Sequence, residues 1–217
     1  MIKKQDFVEL EYTGLLKENE VVFDTTDEKL AKDKGLHNPQ MSYGPLVIVV
    51  GEGNVIKGFD NDLIGKDVGK EYNVELEPEN AFGKKDAKLF KIVPTNIFKK
   101  QNINPQPRLQ VNIDGMLGTI KTVSGGRTIV DFNHPLSGRE IIYKYKILKI
   151  VEDDKEKVKH YLILALNCKS EGFDIKLEED KAEITLKKGV NLDDNAKKIL
   201  GDKLVNLIPN LKEVSFK

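Results

Sequence analysis

Between Val50 and Gly65 the chain sets glycines, apolar side chains and one aromatic in an order that suits a small dry pocket. An apolar strand, Leu46 to Val50, stops at Gly51. A polar loop follows, then Val55-Ile56, Gly58 and Phe59. The run Asp60-Asn61-Asp62-Leu63-Ile64-Gly65 reads as a short helix with Leu63 and Ile64 facing inward. Phe59 opens that helix with apolar neighbours on either side, and so can floor a site that excludes water. A site of that kind disfavours charge-separated groups, because burial takes away their water.

Other chemistries find little support. Gly51-Glu52-Gly53 with Gly58 has the wrong spacing for a dinucleotide loop, and no Ser or Thr follows Lys66 as a phosphate loop requires. His37, His134 and His160 are scattered without ligand spacing, so neither a metal nor a cofactor is expected. The single cysteine, Cys168, allows no intramolecular disulfide and reads as a small, partly buried side chain. With 35 basic and 35 acidic residues in 217, the net charge is zero, which argues against a nucleic-acid partner. Met1 to Phe7 holds no apolar stretch of signal-peptide length, and no segment approaches the roughly 18 apolar residues of a membrane span. A soluble, cytoplasmic protein without membrane partners is expected.

The elements that must position the pocket are mostly strands. Val8 to Thr13 alternates and ends in a turn at Gly14. Val22 to Thr26 follows, and Lys70 to Leu76 places Tyr72, Val74 and Leu76 on one face. Asp27 to Gly35 suggests one or two helical turns, followed by a loop with Asn38-Pro39 and Gly44-Pro45. Residues 84–133 carry strand patterns of their own at Leu89–Val93, Leu109–Ile113, Met116–Val123 and Thr128–Phe132. Ser124-Gly125-Gly126 makes a hairpin turn. A structureless loop of that length is uncommon in a compact domain, so this stretch reads as an inserted small β domain. Ile141 to Ile147 is a later strand. Glu152 to Lys157 reads as a charged linker that isolates the C-terminal residues. Beyond it come an apolar strand, Val158 to Leu166, and a hairpin, Phe173–Leu177 with Ala182–Leu186. A helix begins near Asn191 as its cap, and a last strand holds Val214 and Phe216. This third, α+β part is small enough to be marginal alone, so docking or dimerisation is expected.

Five ordered segments together resemble the FK506-binding proteins, a family of peptidyl-prolyl isomerases. They are Val8–Gly14, Val22-Phe23-Asp24-Thr25-Thr26, the Val50–Phe59 run, Pro78-Glu79-Asn80-Ala81-Phe82-Gly83, and Ile141–Ile147. Val93-Pro94-Thr95-Asn96-Ile97-Phe98 and Asp131–Gly138 resemble the insert-in-flap domain of SlyD-type members. The resemblance implies an α+β fold, an FKBP-type antiparallel half-barrel with a short helix, an inserted small β domain and a C-terminal α+β domain. The divisions would be 1–83 with 134–152, then 84–133, then 153–217. The implied pocket is Tyr12, Phe23, Asp24, Leu46, Val55, Ile56, Phe59, Phe82 and Tyr143. Phe59 would lie under the proline ring, Ile56 N–H would donate to the substrate carbonyl, and Asp24 would be the buried polar group held by the Tyr12 hydroxyl. Phe82 stands where the family often has Tyr, and Leu46 where it often has an aromatic.

The implied activity is isomerisation of X-Pro bonds combined with chaperone binding of unfolded or nascent proline-containing chains. Client-binding candidates in the insert are Ile92, Val93, Ile97, Phe98, Leu109, Met116 and Leu117, with Phe98 and Met116 expected to be exposed. A homodimer through the C-terminal part is a further expectation. The alternative is a non-catalytic holdase with a degenerate pocket.

Overall fold

The computed structural model describes residues 1–187 and 189–217. The chain forms two compact units, one of residues 1–76 with 141–217, the other of residues 77–140. Among the described residues no helix is long and apolar enough to cross a membrane.

In the first unit, β1 (Phe7–Leu16), β2 (Val22–Thr25), β3 (Leu46–Val49), β4 (Glu71–Leu76) and β9 (Ile141–Ile150) make an antiparallel sheet ordered β2-β1-β9-β4. Strand β1 is its hub. One edge pairs with β3 through Phe7–Leu10 and with β2 through Thr13–Leu15, and the other pairs with β9 along its length. Gly14 is therefore not a turn. It lies inside β1, opposite Asp24 and Tyr143. Helix α1 (Glu28–Asp33) is capped by Asp27, whose carboxylate accepts the Leu30 N–H at 3.0 Å.

Helix α2 (Lys57–Asp62) ends one residue before Leu63. Leu63 is fully buried, whereas Ile64 is 46% exposed rather than facing inward. Both residues lie past the helix end, and neighbours in sequence point in different directions.

Strand β3 is buried on both faces, which explains why Leu46–Val50 reads as an unbroken apolar run. Val47 and Val49 share a core with Phe7, Val151, Val158, Leu162, Phe173, Ile184 and Leu204. This core continues into residues 153–217. The stretch Glu152–Lys157 is not a linker and Val158–Leu166 is not a strand. Together they form α4 (Asp154–Leu166), capped by Asp153, which accepts the Glu156 N–H at 2.8 Å. Val158 and Leu162, four apart, are both fully buried on one helical face. A short apolar run fits a strand and a buried helix equally well, and here the cap and the four-residue spacing decide.

The remaining elements are β10 (Phe173–Glu178), β11 (Lys181–Leu186), α5 (Asp194–Leu207) and β12 (Glu213–Phe216), with the strands in the order β10-β11-β12. β12 lies parallel to β11, and α5 supplies the crossover that a parallel pair requires. The cap of α5 is Asp193 rather than Asn191. Gly201 is buried in the middle of α5, where an added Cβ would sit 3.5 Å from Val214 Cβ.

The second unit holds β5 (Phe90–Pro94), α3 (Thr95–Lys100), β6 (Gln110–Ile113), β7 (Met116–Ser124) and β8 (Arg127–Asp131), with an antiparallel sheet ordered β5-β8-β7-β6. Its core is Val93, Phe98, Val111, Ile120 and Val130. Gly118 faces that core, where a Cβ would come within 2.6 Å of Val130 Cγ1. Asp131 is buried and takes hydrogen bonds from Lys85 Nζ at 2.7 Å and from the Asn133 backbone and side-chain N–H groups.

Candidate functional site

Strand β9 turns Ile141, Tyr143, Tyr145 and Ile147 to one face by its alternation, and all are buried. Tyr12, on β1, lies opposite Tyr145, and Gly14 lies opposite Tyr143. The missing side chain at position 14 makes room for two rings. A Cβ there would lie 2.7 Å from Phe23 Cζ and 3.0 Å from Tyr143 Cε1. Gly14, expected from the sequence as a turn, has this role inside the strand instead. The signal was available in its place within an alternating strand, where glycine often marks close approach.

Four predicted residues meet around that gap. Phe59 stacks on Tyr143 at 4.7 Å and 14°, Tyr12 meets both rings edge-on at 5.8 and 5.5 Å, and Phe23 meets Tyr143 edge-on at 5.8 Å. Aromatic pairs at these separations contribute about 0.5–1.5 kcal/mol each beyond burial. Tyr145 closes the cluster from the side at 4.9 Å from Phe59, and its hydroxyl donates to Asp62 Oδ2 at 2.6 Å. Phe59 has no exposed surface. It supports the cluster from within, and the half-buried Tyr12 and Phe23 form its more open side.

Asp24 joins the rings through the Tyr12 hydroxyl, which donates to its Oδ2 at 2.9 Å. The carboxylate is half-buried rather than buried; Thr25, beside it, is the enclosed polar residue. Burial raises the Asp24 carboxyl above its ordinary value, and the bonds from Tyr12 and the Thr25 backbone work against that rise. Burial, then the Asp24 charge, hold the Tyr12 hydroxyl far above its usual range, and burial does the same to Tyr143. The cluster therefore keeps its phenols protonated, with the Tyr12 proton given to Asp24 and that of Tyr145 to Asp62.

Val55 and Ile56 are half-buried on the loop from β3 to α2, and Ile56 is the extended residue that opens α2. That loop is held by a residue sequence reasoning did not single out. Asp60 is 5% exposed, and its carboxylate accepts the N–H groups of Gly51 at 2.8 Å and Gly53 at 3.0 Å. Gly51 and Gly53 have positive φ, so two left-handed turns are tied to the helix that carries Phe59. A carboxylate following an apolar-aromatic pair gives no periodic signal, and only the fold brings it to those amides.

Leu46, half-buried at the start of β3, lines a cavity together with Tyr12 and Asp24. Phe82 belongs to the second unit, where it stacks on His134 at 4.8 Å and 4°. Of the insert candidates, Ile92 is 63% exposed and Leu117 59%, with Ile97, Leu109 and Met116 also exposed. Phe98 is 1% exposed, against the expectation, and Val93 is buried too. A four-stranded unit has few interior positions, and it needs the one aromatic that α3 can supply to fill them.

The profile described as FKBP-type peptidyl-prolyl cis-trans isomerase matches residues 1–101, and that of the FKBP26 IF domain matches residues 91–136. A short-type peptidyl-prolyl cis-trans isomerase of Methanocaldococcus jannaschii is 31% identical over 156 residues, which cover 72% of this chain and 98% of that protein. The FKBP-type peptidyl-prolyl cis-trans isomerase SlyD of Aeromonas hydrophila is 30% identical over 155 residues, 70% of this chain and 66% of that protein. SlyD of Escherichia coli is 27% identical over 124 residues, 54% of this chain and 61% of that protein.

Proposed function

Because the chain belongs to the FKBP-type peptidyl-prolyl cis-trans isomerases, we propose that it isomerises X-Pro bonds in unfolded or partly folded chains by drying the bond against its aromatic cluster. The second unit holds the client. The observation that carries this reading is the Tyr12–Asp24 hydrogen bond set among Phe23, Phe59 and Tyr143.

Rotation about the prolyl bond breaks amide resonance, a barrier of about 18–20 kcal/mol. The planar imide is the more charge-separated form, and water stabilises it. Placed against apolar rings, the planar form loses more solvation than the twisted one. Each 1.36 kcal/mol of that difference is about tenfold in rate. No covalent bond is made or broken. Ile56 N–H donates to a substrate carbonyl, and the Tyr12 bond holds Asp24 in one place so that the pocket keeps its shape. Val55 and Leu46 supply further apolar surface.

Ile92, Ile97, Leu109, Met116 and Leu117 offer exposed apolar surface to extended clients. The edge strands β5 and β6 pair with such clients through their backbones, a mode that tolerates many sequences. A cytoplasmic location suits a chain with one free cysteine. Ile199, 59% exposed on α5, is the contact for a homodimer, which light scattering tests.

The test compares two rates in the full-length protein, proline-limited refolding of an unfolded protein and isomerisation of a short proline peptide. Ile92→Asp with Leu117→Asp lowers the first by about tenfold and leaves the second within about twofold, because a tethered client gains effective concentration. Equal changes in both rates remove the client-holding role. A full-length protein that binds clients but turns over neither substrate leaves only the holdase reading.

A further inference from the structure

We propose that the C-terminal segment completes the substrate groove, with α4 forming the wall that receives an apolar residue flanking the proline. The inference rests on the isomerase reading above and goes beyond it by giving residues 153–217 a direct part in substrate selection.

A cavity of about 470 Å³ lies wholly within the first unit. One side of it is Tyr12, Asp24 and Leu46, three residues of the candidate site. The other side is Ile163 and Leu164 of α4, and Met41 also lines it. The volume falls in the range of about 300–1,000 Å³ common to small-ligand sites. An extended chain advances about 3.3–3.6 Å per residue. A residue next to a proline held at the Tyr12–Asp24 pair therefore stays within reach of a cavity that shares those two side chains. The occupant is thus the flanking segment of the same substrate.

The chemistry of the walls selects an apolar side chain. Leu46, Ile163, Leu164 and Met41 form the apolar part of the wall, and His160 of α4, Thr25, Thr26 and Ser170 give it a polar edge. Lys169 and Glu171, which also line the cavity, are exposed and opposite in sign. Leu164 is the informative residue. Ile163 packs against the core that binds the C-terminal segment to the sheet, whereas Leu164 is half-buried and outside that core. Its side chain lines the cavity. Nothing in the sequence joins Leu164 to Asp24. The join arises because α4 packs across Val47 and Val49 of the strand that begins at Leu46.

The experiment uses the full-length protein with Leu164→Glu, and with Leu164→Ala if circular dichroism shows the first to be unfolded. Two substrates share one prolyl bond. One is short and blocked at both ends, and the other carries Leu and Val on both sides of the central dipeptide. The variant is expected to lower kcat/KM on the flanked peptide by about fivefold or more and to leave the short peptide within about twofold. A fall on both alike, or on neither, overturns the proposal. If the wild-type protein does not turn over the short peptide, the isomerase reading fails instead. The groove is then judged by calorimetric binding of the flanked peptide, which the Leu164 variant must weaken if the proposal is to stand.

Discussion

The Tyr12 hydroxyl donates to Asp24 Oδ2 at 2.9 Å, and the same ring meets Phe59 and Tyr143 edge-on. A polar contact and an aromatic cluster thus share one side chain. Asp24→Ala should lower isomerisation of a short proline peptide by about tenfold or more, equal to about 1.4 kcal/mol of transition-state stabilisation. Cys168→Ser should leave the rate unchanged, because no covalent step exists. A folded Asp24→Ala protein with the wild-type rate would show that the pair lies outside the reaction site.

Burial raises the phenols of Tyr12, Tyr143 and Tyr145 well above their ordinary value, which is about 10. A group whose folded value is raised contributes stability in full below its unfolded value and loses it as pH rises through the folded one. Unfolding free energy should therefore fall as pH climbs above about 10. In an ultraviolet titration these three rings should ionise only as the fold opens. Early and reversible ionisation of every tyrosine would contradict the enclosed cluster.

The same linkage applied to Asp24 has a different consequence. Its raised carboxyl contributes most below the ordinary carboxylate range, and the contribution is lost as pH rises through the folded value. At neutral pH the ionised side chain costs stability. Asp24→Asn, which still accepts from Tyr12, should raise the urea midpoint at pH 7, and the gain should vanish in acid. A midpoint difference independent of pH would mean that Asp24 is solvated like a surface carboxylate.

Gly14→Ala would put a Cβ 2.7 Å from Phe23 Cζ and 3.0 Å from Tyr143 Cε1. Overpacking of this kind costs about 1–3 kcal/mol. The variant should lose stability by that amount and lose peptide isomerase activity as well, since both rings must shift. Chemical denaturation and a peptide assay measure the two losses. A neutral substitution would mean that the rings have room to separate.

Ending the chain after Val151 would strip Phe7, Val47 and Val49 of Val158, Leu162, Phe173 and Leu204, with which they share a core. Each large apolar side chain left open costs about 1.5–3 kcal/mol. The truncated protein should melt at a clearly lower temperature and bind an apolar dye. The reading of Glu152–Lys157 as a linker predicts the opposite, an unchanged melting temperature, so calorimetry separates the two.

Much of the candidate ring cluster was legible in the chain. Tyr12, Phe23, Asp24, Phe59 and Tyr143 sit in segments whose order and residue types carry the resemblance, and the structure brings these five together. Less legible were the residues whose part depends on a distant neighbour. Asp60 ties down Gly51 and Gly53, and Gly14 makes room for Phe23 and Tyr143; neither act leaves a mark in local periodicity. Phe98 looked fit for exposure because nothing nearby in sequence shows how few interior positions a four-stranded unit has.

By itself the sequence determined the antiparallel strands of the first unit up to Leu76 and the separate run of strands after Gly83. These rest on alternation, turn residues and local side-chain chemistry, which act over a few residues. Only the tertiary structure decided that Val158–Leu166 is helical, that the C-terminal segment shares a core with Phe7, Val47 and Val49, and that Leu164 faces a cavity with Asp24. The physical reason is that an apolar run of this length is compatible with either a strand or a buried helix. Which one forms depends on the surface it packs against. That surface, the second face of β3, exists only once the sheet has formed.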